Sequence, residues 1–317
     1  MTNVLPNAIP VTKKVSGYFK AARPPFHTVG VFPFILGTVL ASSLGSNLNL
    51  IVSILGCLAV ILIMLSTYYN GEFYDMTEDK ITYENAKSNF AGGSHAMFEG
   101  KVQHKTVRNL GYISILLAIL IGLSLQFIFN TGIWTIPLGV TGIVFGFFYS
   151  IPPFRWVRTG FGELMIGYAY GWLPVTVGFY INTGNFIDII NWISLPIAFT
   201  IFNVILINEF PDYPADCKTD KKNLTVRFGK IKASYIYITV TLLSVFSFLY
   251  SLTKGINFTT FYFYLPILII SLILILLVAL KKYEDRKILE AICGLTIVTN
   301  LGTTIIYIIS IMLYGIK

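Results

Sequence analysis

The chain predicts an all-α integral membrane protein, a bundle of nine transmembrane helices with two long cytoplasmic loops. Composition, the spacing of apolar runs and the distribution of charge predict it. Of its 317 residues, 55% are hydrophobic and 12% charged, and the mean hydropathy is +0.72. Soluble domains carry roughly 25% charged residues, so a water-facing surface cannot be covered by what this chain has.

The elements follow in order from apolar runs long enough to cross about 30 Å of hydrocarbon as helices. They fall at about 27–44, 48–69, 109–129, 133–151, 162–181, 192–207, 233–252, 261–280 and 291–313. Charge tests the count independently, because Lys and Arg collect in cytoplasmic loops. With the first segment cytoplasmic, Lys13, Lys14, Lys20 and Arg23 precede helix one. Lys80, Lys87, Lys101, Lys105 and Arg108 follow helix two, and Arg155 and Arg158 follow helix four. Lys218, Lys221, Lys222, Arg227, Lys230 and Lys232 follow helix six, and Lys281, Lys282, Arg286 and Lys287 follow helix eight. Of the 23 basic residues, Lys254 and Lys317 alone fall on the other side. The expected location is therefore a cell membrane, multi-pass, with the first segment and both long loops cytoplasmic.

Those loops, 71–108 and 208–232, elaborate what reads as a single domain over 1–317. The net charge of +8 is a topology signal, and no nucleic-acid-reading motif accompanies it. Cys57, Cys217 and Cys293 have no paired spacing, so neither disulfides nor a zinc site is indicated. Residues 1–12 show no cleavable signal pattern.

Each long loop opens with the same acidic pattern: GEFYDMTED over 71–79 and NEFPDYPAD over 208–216. Carboxylates three and four apart share a helix face, so Glu72, Asp75 and Asp79 form one expected cluster and Glu209, Asp212 and Asp216 the other. Converging carboxylates repel unless a cation sits among them. Oxygen-rich sites without His or Cys favour a hard ion, and Mg²⁺ binds through one or two carboxylates plus substrate phosphates. CKTDKKNLTVRFG follows the second copy, bringing Lys218, Lys221, Lys222 and Arg227. Carboxylates beside such cations suit a diphosphate. At the mouth of a lipid-embedded bundle, that implies an isoprenyl diphosphate with its tail among the helices. Fourteen of the fifteen acidic residues fall on the cytoplasmic side, Asp188 being the exception, whereas an ion transporter keeps ionisable groups near mid-membrane.

The chain resembles the UbiA superfamily of intramembrane prenyltransferases. The resemblance lies in ARPPFHTVGVFPFILG, GGSHAMFEGKV, YSIPPFRWVRTGFGELMIGYAYGWLPVTVGFYINTG and INEFPDYPADCKTDKKNLTVRFG. NEFPD with VRFG, GGS and GFGE is most similar to the 1,4-dihydroxy-2-naphthoate polyprenyltransferase branch of menaquinone biosynthesis. The resemblance implies that Asp75, Asp79, Asn208, Asp212 and Asp216 hold Mg²⁺, and that Lys222 and Arg227 contact the diphosphate. It places Arg23, Tyr149 and Arg155 in the chamber. Glu163 reads either as an acceptor-side residue or as a buried group pairing with an Arg. The first copy departs from the family: Gly71 stands where Asn is usual, so either Asn70 reaches the site or the first metal lacks its amide ligand. Loop residues His95 and His104 read as solvated, and His27 as interfacial. The implied partners are an isoprenyl diphosphate, an aromatic acceptor and the bilayer. Acceptors other than the naphthoate (4-hydroxybenzoate, homogentisate, a chlorin, haem, a glycerol phosphate ether) and a terpene cyclase remain open.

Overall fold

The computed structural model describes residues 11–85, 88, 90–219 and 221–316. Lys87 and Lys317 of the charge argument lie outside the described residues, as do the side chains of Lys13 and Lys14. A short helix α1 (Val11–Ala21) and a 3₁₀ turn (Pro24–His27) lead into α2 (Thr28–Ser43). There follow α3 (Leu50–Tyr74), α4 (Met76–Asn85), α5 (His104–Phe127), α6 (Thr135–Gly146), α7 (Gly162–Gly167) and α8 (Leu173–Thr183). Then come α9 (Ile189–Asp216), α10 (Leu224–Ser251), α11 (Thr260–Ala279) and α12 (Arg286–Tyr314). Among the described residues eight helical stretches are long and apolar enough to span a membrane. The fourth expected span, 133–151, is instead a shorter apolar helix over Thr135–Tyr149. At 1.5 Å per residue its 15 residues reach about 22 Å, short of the hydrocarbon thickness.

Local chemistry starts and bends these helices. Asn49 caps α3 by accepting from the N–H groups of Ile51 and Val52, and Asp285 caps α12 through Ile288 N–H; each satisfies amides that have no partner inside the helix. α9 runs through Pro196, Pro211 and Pro214 without ending. Proline at 211 leaves the Ile207 carbonyl without its helical donor, and the Cys293 thiol of α12 donates to it at 3.8 Å. α7 and α8 form one span over Gly162–Thr183, joined by a widened π turn at Tyr168–Trp172.

Packing relies on small residues where backbones meet, as lipid-embedded helices require. Gly37 of α2 lies against the Val175 carbonyl of α8, and Gly178 of α8 lies against the Phe34 carbonyl of α2; a Cβ at either would collide with backbone. α9 is flanked by α7, α10 and α12, and α2 by α3, α8 and α12. Polar groups join the second half from within: Asn203 donates to the Tyr237 carbonyl and Thr241, Tyr237 meets Thr296, and Asn300 donates to Thr200. Among the described spans, those over Gly162–Thr183 and Ile189–Asp216 are the most enclosed by their neighbours. They bring their ends, with those of α3 and α4, to one acidic end of the bundle.

Candidate active site

The two copies of the acidic pattern do not fold alike. In the second copy, Asn208, Glu209, Asp212 and Asp216 stay on one unbroken helix, α9. In the first, α3 stops at Tyr74, Asp75 takes a non-helical ψ of 15° as its C-cap, and α4 carries Asp79. Glu72, Asp75 and Asp79 therefore do not share one helix face, contrary to the spacing argument.

Between α3, α4 and α9 lies a cavity of roughly 200 Å³ whose wall includes Arg23, Gly71, Asp75, Asp79, Tyr149, Asn208, Asp212 and Lys221. Asp75 is fixed by Ser150, whose hydroxyl donates to Oδ2 at 2.6 Å, and by Arg155, which donates to Oδ1 at 3.2 Å. Arg155 also donates to the carbonyls of Tyr74 and Ser150, tying the break after α3 to the end of α6. Asp212 accepts from Gly92 N–H at 3.2 Å and from the Thr82 hydroxyl. Asp216 accepts from Asn223 at 2.8 Å and pairs with Lys221 at 3.1 Å.

Lys221 is the residue that sequence reasoning passed over in favour of its neighbour. Its side chain is 11% exposed. Burial alone would lower its pKa, but Asp216, Asp212, Asp75 and Asp79 more than reverse that and leave it well above the ordinary value. Burial also raises the carboxyl of Asp75, and that of Asp79 well above its usual range, with Glu72 and Asp212 adding repulsion at Asp79. The site is thus richer in negative charge than one ammonium balances.

Several expected contacts are corrected. Lys222 is exposed; its N–H donates to the Arg158 carbonyl and its own carbonyl accepts from Arg227 Nε. Arg227, also exposed, donates at 2.7 Å to the Thr159 carbonyl and packs where Gly160 leaves room. Both residues brace the loop instead of facing the cavity, and Lys218 is exposed outside it. Asn70 is buried and turned away, donating to Ser66 and packed on Gly111 of α5; it does not replace the missing amide at Gly71.

Glu72 is a positioning residue. It accepts from Arg23 at 3.2 Å and from the N–H and hydroxyl of Ser94, at 2.6 and 2.8 Å, holding the GGS loop over the cavity. Among the described residues Glu163 pairs with no Arg, and it is not in the cavity wall. It accepts from Leu224 N–H at 2.7 Å, while Glu209 accepts from Thr225 N–H at 3.2 Å; with Asn223 the two carboxyl groups cap α10. Arg23 and Tyr149 line the cavity, whereas Arg155 is not in its wall and holds Asp75 instead. His95 is partly buried, not solvated, and desolvation lowers its pKa. His104 stacks on Phe73 with ring centroids 3.9 Å apart. His27 is half-buried, and its Nε2 donates to the Ala22 carbonyl at 2.9 Å.

The donor set fits a divalent cation. The buried Oδ1 atoms of Asn208 and Asp212 have no hydrogen-bond partner among the described residues and belong to cavity-lining side chains. Among the described residues, no three carboxylate, His or Cys side chains converge closely enough to hold a metal unaided. Oxygens from a ligand would complete the shell, as is usual for Mg²⁺. A second, apolar cavity of about 310 Å³ adjoins the first, with Tyr170 in the wall of both.

Residues 30–293 match the model of the UbiA prenyltransferase family. The chain is 29% identical over 215 residues to 1,4-dihydroxy-2-naphthoate octaprenyltransferase of Bacillus subtilis (strain 168), a match covering 67% of this chain and 65% of that enzyme. It is 25% identical over 245 residues to 2-carboxy-1,4-naphthoquinone phytyltransferase of Synechocystis sp. (strain ATCC 27184 / PCC 6803 / Kazusa), covering 76% and 74%. The fold matches a UbiA homologue from Archaeoglobus fulgidus bound to GPP and Mg²⁺, with a TM-score of 0.59, 15% identity, and 92% and 99% of the two chains covered.

Proposed function

The chain belongs to the UbiA prenyltransferase family, and from that premise we propose that it transfers a polyprenyl group from an isoprenyl diphosphate to an aromatic acceptor, 1,4-dihydroxy-2-naphthoate. The observation that carries the proposal is the buried Lys221 ammonium set among Asp75, Asp79, Asp212 and Asp216 beside an apolar cavity. Such a site takes a molecule with an anionic head and a hydrocarbon tail. The acceptor is supported by the names of the naphthoate and naphthoquinone relatives. A cytoplasmic site and a cell-membrane location are supported by the charge asymmetry.

Asp79, Asn208 and Asp212, with Asp75 and Asp216, would hold Mg²⁺, whose charge assists departure of the diphosphate when bound. Lys221 donates to the diphosphate as it gains charge, within a buried site where such donors act strongly. Arg23 also lines the cavity, its Nε buried and without a partner among the described residues, and serves the same anion. The allylic carbon–oxygen bond breaks with its electron pair going to diphosphate. The acceptor ring carbon then supplies a pair to the allylic carbon and afterwards loses its proton. The faces of Tyr68, Tyr149 and Tyr170 border the cavity and can stabilise the cation meanwhile, while the apolar helices exclude water.

The test incubates purified protein with Mg²⁺, prenyl diphosphates of several lengths and a panel of aromatic acceptors, read by mass spectrometry. Prenylated naphthoate is the expected product. Hydrocarbon products from the diphosphate alone would replace the reading with a cyclase, and a product with another acceptor alone would reassign the acceptor.

A further inference from the structure

Beside the acidic cavity lies a compartment of opposite charge. It holds roughly 450 Å³ between α1, the turn before α2 and the GGS loop, a size typical of small-molecule sites. Its ionisable groups are Lys20, Arg23 and His95, and among the described residues no carboxylate is in its wall. The acidic cavity, by contrast, sets Asp75, Asp79, Glu209 and Asp212 against Arg23 and Lys221. Arg23, Phe26, Phe90 and Gly93 line both, so the same few side chains divide the two spaces. A Cβ at Gly93 would collide with the Asp79 carboxylate, which puts the partition directly beside a candidate metal ligand.

The wall is graded from solvent to site. Phe19 and Lys20 of α1 are exposed, Phe26, Phe90 and His95 are half-buried, and Ser94 is buried. Lys20 bonds Glu99 at 3.0 Å on the rim, and an ammonium has three donors, so it can bind a second anion. His95 holds a φ of 63°, a left-handed conformation that His adopts more readily than most residues. Its Nε2 is buried without a partner among the described residues, and Lys20 and Arg23 lie near enough to act on it electrostatically. A buried polar atom of this kind is costly unless something supplies its hydrogen bond. The rings of Phe19, Phe26 and Phe90 complete the wall and suit a flat aromatic body. A diphosphate would leave those rings unused, and a prenyl tail would leave the three basic groups unused.

We infer that this compartment is a vestibule for the acceptor, that it selects aromatic carboxylates, and that Lys20 and His95 hold the carboxylate while the rings pass Phe26 and Phe90 toward the acidic cavity. The inference rests on the proposed function for its occupant. The carboxylates of the acidic cavity repel an anion that has no cation with it, so an acid acceptor is better received on the basic side of Arg23.

Lys20→Gln and His95→Gly, singly and together, are the test. Glycine accepts the positive φ at 95, and Lys20→Gln, at an exposed position, decides alone should the double variant fold poorly by circular dichroism. Arg23 is left intact because it also serves the diphosphate. Two probes are titrated calorimetrically into the full chain in detergent without Mg²⁺ or donor: 1-naphthoate, which has the carboxylate, and 1-naphthol, which lacks it. The double variant should bind 1-naphthoate about tenfold more weakly, the usual loss with a hydrogen bond to a charged group, and 1-naphthol within about twofold of the wild type. With geranylgeranyl diphosphate as donor, KM for 1,4-dihydroxy-2-naphthoate should rise about tenfold, while kcat and the donor KM change less than about twofold. Absence of 1-naphthoate binding in the wild type, unchanged binding in the variants, or an equal loss for 1-naphthol overturns the inference. So does a matching loss of affinity for inorganic pyrophosphate, which would make the vestibule a diphosphate path. A wild type whose 1-naphthoate binding depends on Lys20 and His95, yet which prenylates no naphthoate, supports the vestibule and counts against the acceptor reading alone.

Discussion

Lys221 and Lys222 are adjacent, identical and opposite in fate. Asn223 caps α10 and bonds Asp216, while the backbone of Lys222 is held by Arg158 and Arg227; the side chain one position earlier is thereby directed inward. Lys221→Met should lower kcat/KM by about 10²-fold, the usual cost of losing one donor to developing charge. Lys222→Ala should change it less than about threefold, and a steady-state assay with prenyl diphosphate separates the two. Asp212→Asn should abolish transfer while circular dichroism and the gel-filtration profile in detergent stay as in the wild type. The raised carboxyls of Asp75 and Asp79 also set a pH dependence. Without a cation the folded protein holds protons that the unfolded chain has already released above about pH 4, so ligand-free stability should decline as pH rises from there through the raised values. Mg²⁺ must displace those protons, so the gain in unfolding midpoint on adding Mg²⁺ and diphosphate should be larger at pH 8 than at pH 5. An equal gain at both would argue that these carboxylates do not take the ion.

At the level of elements, the helix break at Asp75 separates the roles of the two acidic copies. α9 presents Asn208, Asp212 and Asp216 from one rigid helix, whereas the first copy is divided among an α3 end, a cap and α4. Arg155→Ala removes the donor that ties Asp75 to the carbonyls of Tyr74 and Ser150. It should reduce kcat/KM by about tenfold or more, with recovery of only part of that by Lys, which cannot reproduce the fork. The α2–α8 contact depends on Gly37 and Gly178. Leu at position 37 should destabilise the fold by about 3 kcal/mol or more, the upper range for overpacking, seen as a lower unfolding midpoint in detergent. The acidic pattern and most helices were legible because composition and periodicity are local; the loop bounds were not, since 208–216 continue α9 and 224–232 already belong to α10. The break was not, since nothing in EFYDMTED forbids a continuous helix; Ser150 and Arg155, some 75 to 80 residues away in sequence, impose it.

For the whole molecule, an isoprenyl diphosphate with Mg²⁺ should raise the unfolding midpoint more than either alone, since cavity-lining groups from α3, α4, α9 and the 217–223 loop would share one ligand. Additive or absent shifts in a thermal scan would contradict a joint site. Hydropathy, charge asymmetry and the repeated motif determined a helical membrane protein with two acidic copies at helix ends, because each depends on residue type and spacing along the chain, while the resemblance of longer stretches pointed to its family. The sequence also marked Asp75, Asp79, Asn208, Asp212 and Asp216 as the candidate ligands. Which lysine faces them, that Asn70 turns to Gly111, that Glu163 and Glu209 cap α10, and that an apolar chamber adjoins the site were decided only by tertiary structure. These outcomes depend on where helix ends meet and which face each turns inward, and a side chain's direction across a loop is set by partners far away in sequence.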